Sequence, residues 1–139
     1  MNTYNINNPN FINSDIYKEF LKRNPKKGYL KIRAYLANEA ISVAGLHIVV
    51  STLFDGNKII LFEGKTDESG IIEKIELPAP EINPNNLDVP YYTTYTIEAT
   101  YPNSNINKTY KVNIYDNIYV VQNITATPKM NNQGEITWQ

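Results

Sequence analysis

Cysteine is absent from this chain of 139 residues. That excludes disulfides, thiol nucleophiles and thiolate metal sites, and it leaves the redox compartment open. Histidine occurs once, at His47, and tryptophan once, at Trp138. A lone imidazole cannot build a zinc site without a second His or a Cys, and no GxSxG elbow is present for it to serve as a base. No sign of charge dominates: 13 basic against 14 acidic residues leave a formal net charge of -1. Such a balance offers no field for nucleic acid or for an anionic membrane, so neither is an expected partner. No run approaches the roughly 18 apolar residues of a membrane-spanning helix. The opening MNTYNINNPNF lacks the basic and then apolar pattern of a secretory signal. A soluble chain is expected, and its localisation is left undetermined.

What is present suits one globular domain. Hydrophobic residues make up 42% of the chain, and a domain of this size buries roughly two-thirds of its unfolded surface. Residues 1–12 are polar, Asn-rich and without periodicity, and read as a flexible arm. Over 13–24 the stretch NSDIYKEFLKRNP reads as an amphipathic helix. Asn13 or Ser14 can cap it, Asp15 and Glu19 suit its start, and Lys22 and Arg23 suit its last turn. Ile16, Phe20 and Leu21 share a face, and Pro25 stops the helix.

From there the period changes to two. Leu30, Ile32, Ala34 and Leu36 alternate with Lys31, Arg33 and Tyr35, the pattern of a half-buried strand. Further strands are predicted over 46–54, 58–66, 71–77, 91–101, 106–115 and 117–128. Asp55-Gly56 marks a hairpin turn, and Pro78, Pro80, Pro84 and Pro90 make a stiff loop. The spacing predicts an all-β, seven-stranded antiparallel sandwich over 28–128 with one short N-terminal helix, and a tail over 129–139.

The stretch TDESG, Thr66–Gly70, tests whether the acids do chemistry. Calcium loops need oxygens at alternating positions and a distal Glu, whereas these residues are contiguous. Glu73 and Glu76 fall on opposite faces of their strand and cannot form an acid–base pair by themselves. A turn accounts for the pattern: Asp67 bonds the backbone ahead of it and Gly70 supplies a positive φ. No metal and no cofactor are expected.

In order, KGYLKIRAYLANEAISVAGLHIVVS, GKTDESGIIEKIELPAPE, YYTTYTIEATYPN and VNIYDNIYVVQNITATP resemble a module of clostridial spore cortex-lytic proteins and related low-GC Firmicute proteins. That module is similar to carboxypeptidase regulatory-like and collagen-binding-B-type sandwiches, the prealbumin-like group. The resemblance implies a prealbumin-like sandwich that accompanies catalytic domains without being catalytic. These 139 residues leave no space for a lytic domain, so cortex hydrolysis does not carry over. It also raises an internal isopeptide between Lys31 and Asn123, promoted by Glu98. Parity argues against that bond, because Lys31 and Glu98 both alternate with core residues and point outward.

The remaining candidates concern binding. Eleven tyrosines include Tyr91, Tyr92, Tyr95, Tyr110, Tyr115 and Tyr119, which suit a face for a protein or a peptidoglycan-type glycan; ordinary cross-strand pairing is the plainer account. Trp138 could anchor a partner. His47 reads as a strand residue at the sandwich edge. The sequence therefore reads as a non-catalytic binding or scaffolding module of the spore, envelope or cell wall. Its alternative is a self-assembling, homo-oligomeric subunit such as a phage-tail or surface-fibre component.

Overall fold

The structure, a computed structural model, describes residues 1–36, 41–86, 88, 90–104, 107–126, 128–130 and 136–138. Its elements are β1 (Thr3–Asn5), α1 (Pro9–Ile12), α2 (Asp15–Arg23), β2 (Lys26–Leu36), β3 (His47–Phe54) and β4 (Asn57–Lys65). They continue as β5 (Ile71–Ala79), β6 (Tyr92–Thr100), β7 (Asn107–Tyr115), β8 (Tyr119–Ala126), β9 (Pro128–Met130) and β10 (Ile136–Trp138). One sheet has the order β1-β4-β3-β6-β7 and the other β5-β2-β8, while β9 and β10 pair with each other. This is the all-β sandwich with a short N-terminal helix that the alternation predicts.

The two-residue period places the core. On β2, Gly28, Leu30, Ile32 and Ala34 face inward and are buried. They meet Ile48 and Val50 of β3, Ile97 and Ala99 of β6, and Val112 and Ile114 of β7 in one apolar cluster. Each fully buried large aliphatic contributes roughly 1.5–3 kcal/mol. At Gly28 a side chain would run into the Tyr115 carbonyl of the opposite sheet, so the layers touch there backbone to backbone.

Two pairings depart from the expected antiparallel pattern. β2 runs parallel to β8, and β1 parallel to β4. Neither pair is joined by a hairpin, and hairpins are what force antiparallel neighbours.

Residues 1–12, expected as a flexible arm, contribute β1 and α1 instead. Asn5 and Asn8 accept backbone N–H bonds from Asn7 and Asn10 at 2.9 and 3.0 Å, and Pro9 opens α1. Aromatic rings then run without a break: Tyr4 stacks on Phe11, Phe11 meets Tyr17, Tyr17 meets Phe20, and Phe20 meets Phe54 edge-on. Only Phe20–Phe54 joins residues distant in sequence; Tyr4–Phe11 and Phe11–Tyr17 tie β1, α1 and α2 together across turns that no regular period marks. α2 starts at the Ser14 cap, whose hydroxyl accepts the Tyr17 N–H at 3.3 Å. Of its apolar face, Phe20 is buried and Ile16 packs partly against the core, while Leu21 stays exposed.

The TDESG segment is a tight β-turn. The Asp67 carboxylate accepts N–H bonds from Ser69 at 2.8 Å and Ile71 at 2.9 Å. Gly70 has φ +75, and a Cβ there would strike the Ala34 carbonyl. Its own carbonyl accepts the Ala34 N–H at 2.7 Å. The Thr66 hydroxyl donates to the Val43 carbonyl at 2.7 Å and accepts the Leu46 N–H at 3.0 Å. At the β3–β4 hairpin, Asp55 and Gly56 both have positive φ, at 53 and 76, the pattern of a type I′ turn.

The two glycines give a paired prediction. Gly56→Ala meets nothing within 4 Å, so it should cost only the left-handed penalty, about 1–2 kcal/mol. Gly70→Ala adds the clash with β2 and should cost at least about 1 kcal/mol more. Urea unfolding of both variants checks this, and equal losses would count against the packed turn.

Candidate functional site

An open cleft of about 580 Å³ lies beside the C-terminal end of α2. Several elements build it. α2 and its cap bring Phe20, Arg23 and Asn24; the end of β3 brings Thr52, Leu53 and Phe54. Pro80 and Pro90 come from the β5–β6 connection, and β6 and β7 supply Tyr92, Thr94 and Lys111 among others.

Most polar groups of the wall are already engaged. The Thr52 hydroxyl donates to the Thr94 carbonyl at 2.8 Å, and the Thr94 hydroxyl donates to the Asn113 side chain at 2.8 Å. The Asn24 side chain donates to the Phe20 carbonyl at 3.0 Å and accepts from the Thr93 hydroxyl. The open apolar surface is Leu53, 71% exposed, with exposed Pro90; Phe54 is half-buried and Pro80 is buried beneath them.

The charged lining residues are Arg23 and Lys111. Among the described residues neither forms an ion pair. The Arg23 guanidinium lies 5.1 Å from the Phe54 ring centre, a cation–π contact that holds it at the rim. Arg23 and Phe54 also line a smaller groove with Asp15, Glu19 and Asp55.

The tyrosines singled out from sequence do not converge. Tyr92 lines the cleft, and Tyr115 tilts against it at 5.5 Å. Tyr91 is half-buried just before β6. Tyr95 is fully buried and donates to the Pro78 carbonyl of the opposite sheet at 2.5 Å. Tyr110 is half-buried, and burial raises its pKa. Tyr119 lies on the other sheet, stacked on Tyr29 at 4.6 Å. Trp138 falls on β10 opposite Pro128; the anchoring expected of its side chain lies outside the described residues.

His47 begins β3, which lies inside the five-stranded sheet rather than at its edge. The sheet places β4 and β6 on either side of it, so the expected edge position is corrected. Its Nε2 lies 2.9 Å from Glu63, its one hydrogen-bond partner among the described residues. Among those residues, no three acidic or imidazole side chains gather to hold a metal ion. Of the isopeptide candidates, Lys31 and Asn123 lie on the paired strands β2 and β8, but the promoting acid does not join them: Lys31 pairs with Glu73 at 3.4 Å, and Glu98 pairs with Lys58 at 2.9 Å on the other sheet. Asn123 is exposed on β8. Intact-mass measurement should therefore give the full sequence mass, and a deficit of one ammonia would contradict this placement.

Sequence reasoning missed Leu53 and Phe54 as a site. Its available signal was the strand over 46–54, apolar on both sides although one side of its end has nothing above it.

No protein-family model and no curated protein matches the chain, so the cortex-lytic resemblance gains no support from them. Solved structures similar to it include the Klebsiella pneumoniae 5-hydroxyisourate hydrolase, at 13% identity over 81% of this chain and 96% of that one, TM-score 0.44. The Bacillus anthracis TIE protein is 20% identical over 81% of this chain and 24% of that one, TM-score 0.49. For (S)-allantoin synthase the values are 10% identity, 88% and 48% coverage, and TM-score 0.43. At these levels no activity carries over, and the sandwich stands on its own strand order. Among the described residues no helix is long and apolar enough to cross a membrane.

Tyr95 yields a pH prediction. Burial, and secondarily Tyr17, raises its pKa from the ordinary value of 10.0. A raised pKa in the folded state stabilises fully below pH 10 and loses that contribution as pH climbs toward the folded value. Unfolding free energy should thus fall above pH 10, by up to about 1.4 kcal/mol per pH unit from this group. Tyr95→Phe should cost about 1–3 kcal/mol at neutral pH, leaving the Pro78 carbonyl unpaired, and should flatten the alkaline decline. Denaturant titrations at pH 7 to 11 check both; an unchanged alkaline slope would remove Tyr95 from the account.

Proposed function

We propose that this chain is a non-catalytic binding module with a prealbumin-like sandwich architecture. Its cleft beside α2 takes an acidic, partly apolar segment of a protein partner. The observation that carries this reading is the cleft's chemistry: exposed Leu53 beside half-buried Phe54 and exposed Pro90, with Arg23 and Lys111 as the charges of its described lining. An apolar floor supplies affinity through desolvation, and cations at the rim select a partner of opposite sign.

A protein partner suits the site better than a glycan. Sugar rings stack on open aromatic faces, whereas Tyr29 and Tyr119 stack on each other and Tyr115 tilts against Tyr92. A setting at a bacterial envelope or spore comes from the sequence resemblance alone.

A probe that joins apolar rings to one negative charge, anilinonaphthalene sulfonate, tests the cleft. Titration of the folded protein should give saturable fluorescence from one site. Arg23→Gln with Lys111→Gln should weaken binding by roughly tenfold or more, the worth of one charge-assisted contact. Leu53→Asp should abolish it. Binding unaffected by all three changes would overturn the assignment.

A further inference from the structure

The free edges of the two main sheets are protected unequally. β1 is only 3 residues long. β5 carries Glu73, Lys74, Glu76 and Pro78, and β7 carries Lys108 and Lys111. β8 reads YVVQNITA, 8 residues without a charge or a proline. Shortness, charge and proline are the devices by which an edge strand avoids pairing with another chain, and β8 has none of them.

Its backbone is also available. The Tyr29 N–H donates to the Ile118 carbonyl at 3.0 Å. Bonding residues alternate along a parallel ladder, so the even-numbered residues of β8 bond toward β2 and the odd-numbered ones point their N–H and C=O groups outward. On that outer side the Thr125 carbonyl accepts from Tyr101 and Lys108, both at 3.3 Å, and the Asn123 carbonyl from the Gln122 side chain at 3.0 Å. Among the described residues the outward groups of Tyr119 and Val121 have no strand beside them. Their side chains are 61% and 50% exposed. Tyr119 ends a row across the sheet, with its ring on Tyr29 and the Lys74 ammonium 4.8 Å from the centre of the Tyr29 ring.

We propose that β8 pairs antiparallel with β8 of a second copy, about a two-fold axis at Val121. Independently of the cleft, this joins two three-stranded sheets into one of six. The strand suits itself as occupant. Val121 meets Val121 of the second copy as a hydrogen-bonded pair, and each Tyr119 faces an uncharged Asn123. The Asn123 carbonyl has a second lone pair for the incoming N–H. The same operation on β5 or β7 would oppose like charges.

Sedimentation velocity of the full chain, from about 1 to about 200 µM, tests the pairing. Wild type should reach twice its 15.9 kDa mass. Val121→Lys and Val121→Glu each place like charges on the axis and should weaken association at least about 100-fold. Mixing the two variants should restore a heterodimer. Hydrogen exchange on wild type, which needs no variant, should show the Tyr119 and Val121 amides protected only where dimer is populated. A wild type that stays monomeric throughout overturns self-pairing and leaves the edge to a strand of another protein. Variants that dimerise like wild type, a mixture that fails to associate, or amides that never gain protection overturn the Val121 axis.

Discussion

Strand β2 holds the two layers together, because its inward face must be apolar at three positions and empty at a fourth. Leu30, Ile32 and Ala34 fill the space between the sheets, and Gly28 lets the Tyr115 backbone come close. Both neighbours of β2 in its sheet take their place from it, β5 antiparallel and β8 parallel. The turn at Gly70 is fixed by the same strand, through the bond from the Ala34 N–H. The Ala34 carbonyl in turn accepts the Val43 N–H at 2.9 Å, which anchors the approach to β3. Tyr95 adds a polar tie between the layers at the Pro78 carbonyl.

Much of this was legible in the sequence. The seven main strands appear in order, with ends displaced by a few residues, because a half-buried strand writes its period into the chain. Ser14 and Asp55-Gly56 are local signals and locate a helix start and a hairpin. Thr3–Asn5 and α1 were not legible, since β1 is a short edge held by tertiary pairing to β4 and by the Tyr4–Phe11 stack. The parallel union of β2 and β8 was hidden for the same reason: alternation says which face is buried, not which strand lies alongside.

The candidate site was less legible than the fold. Tyrosine frequency drew attention to positions that the structure spreads over the core and both sheets. Tyr95 shares its strand face with Ile97, Ala99 and Tyr101, a parity legible in the sequence, and all four are buried; counting it as a binding tyrosine set that parity aside. The cleft depends on where α2 and the β5–β6 connection stop relative to the end of β3. That is a matter of three-dimensional placement, and its sequence trace is faint: an exposed Leu53 on a strand with apolar residues on both sides.

The parallel alignment of β2 with β8 has a consequence for synthesis on the ribosome. The partners of Tyr29 and Leu36 are Tyr119 and Ala126, so the smaller sheet stays incomplete until nearly the whole domain has been translated. The emerging chain carries a half-covered greasy layer through most of that interval, when chaperone capture competes with closure. The strand of the two main sheets that arrives last, β8, also bears no charge to keep neighbouring nascent chains apart.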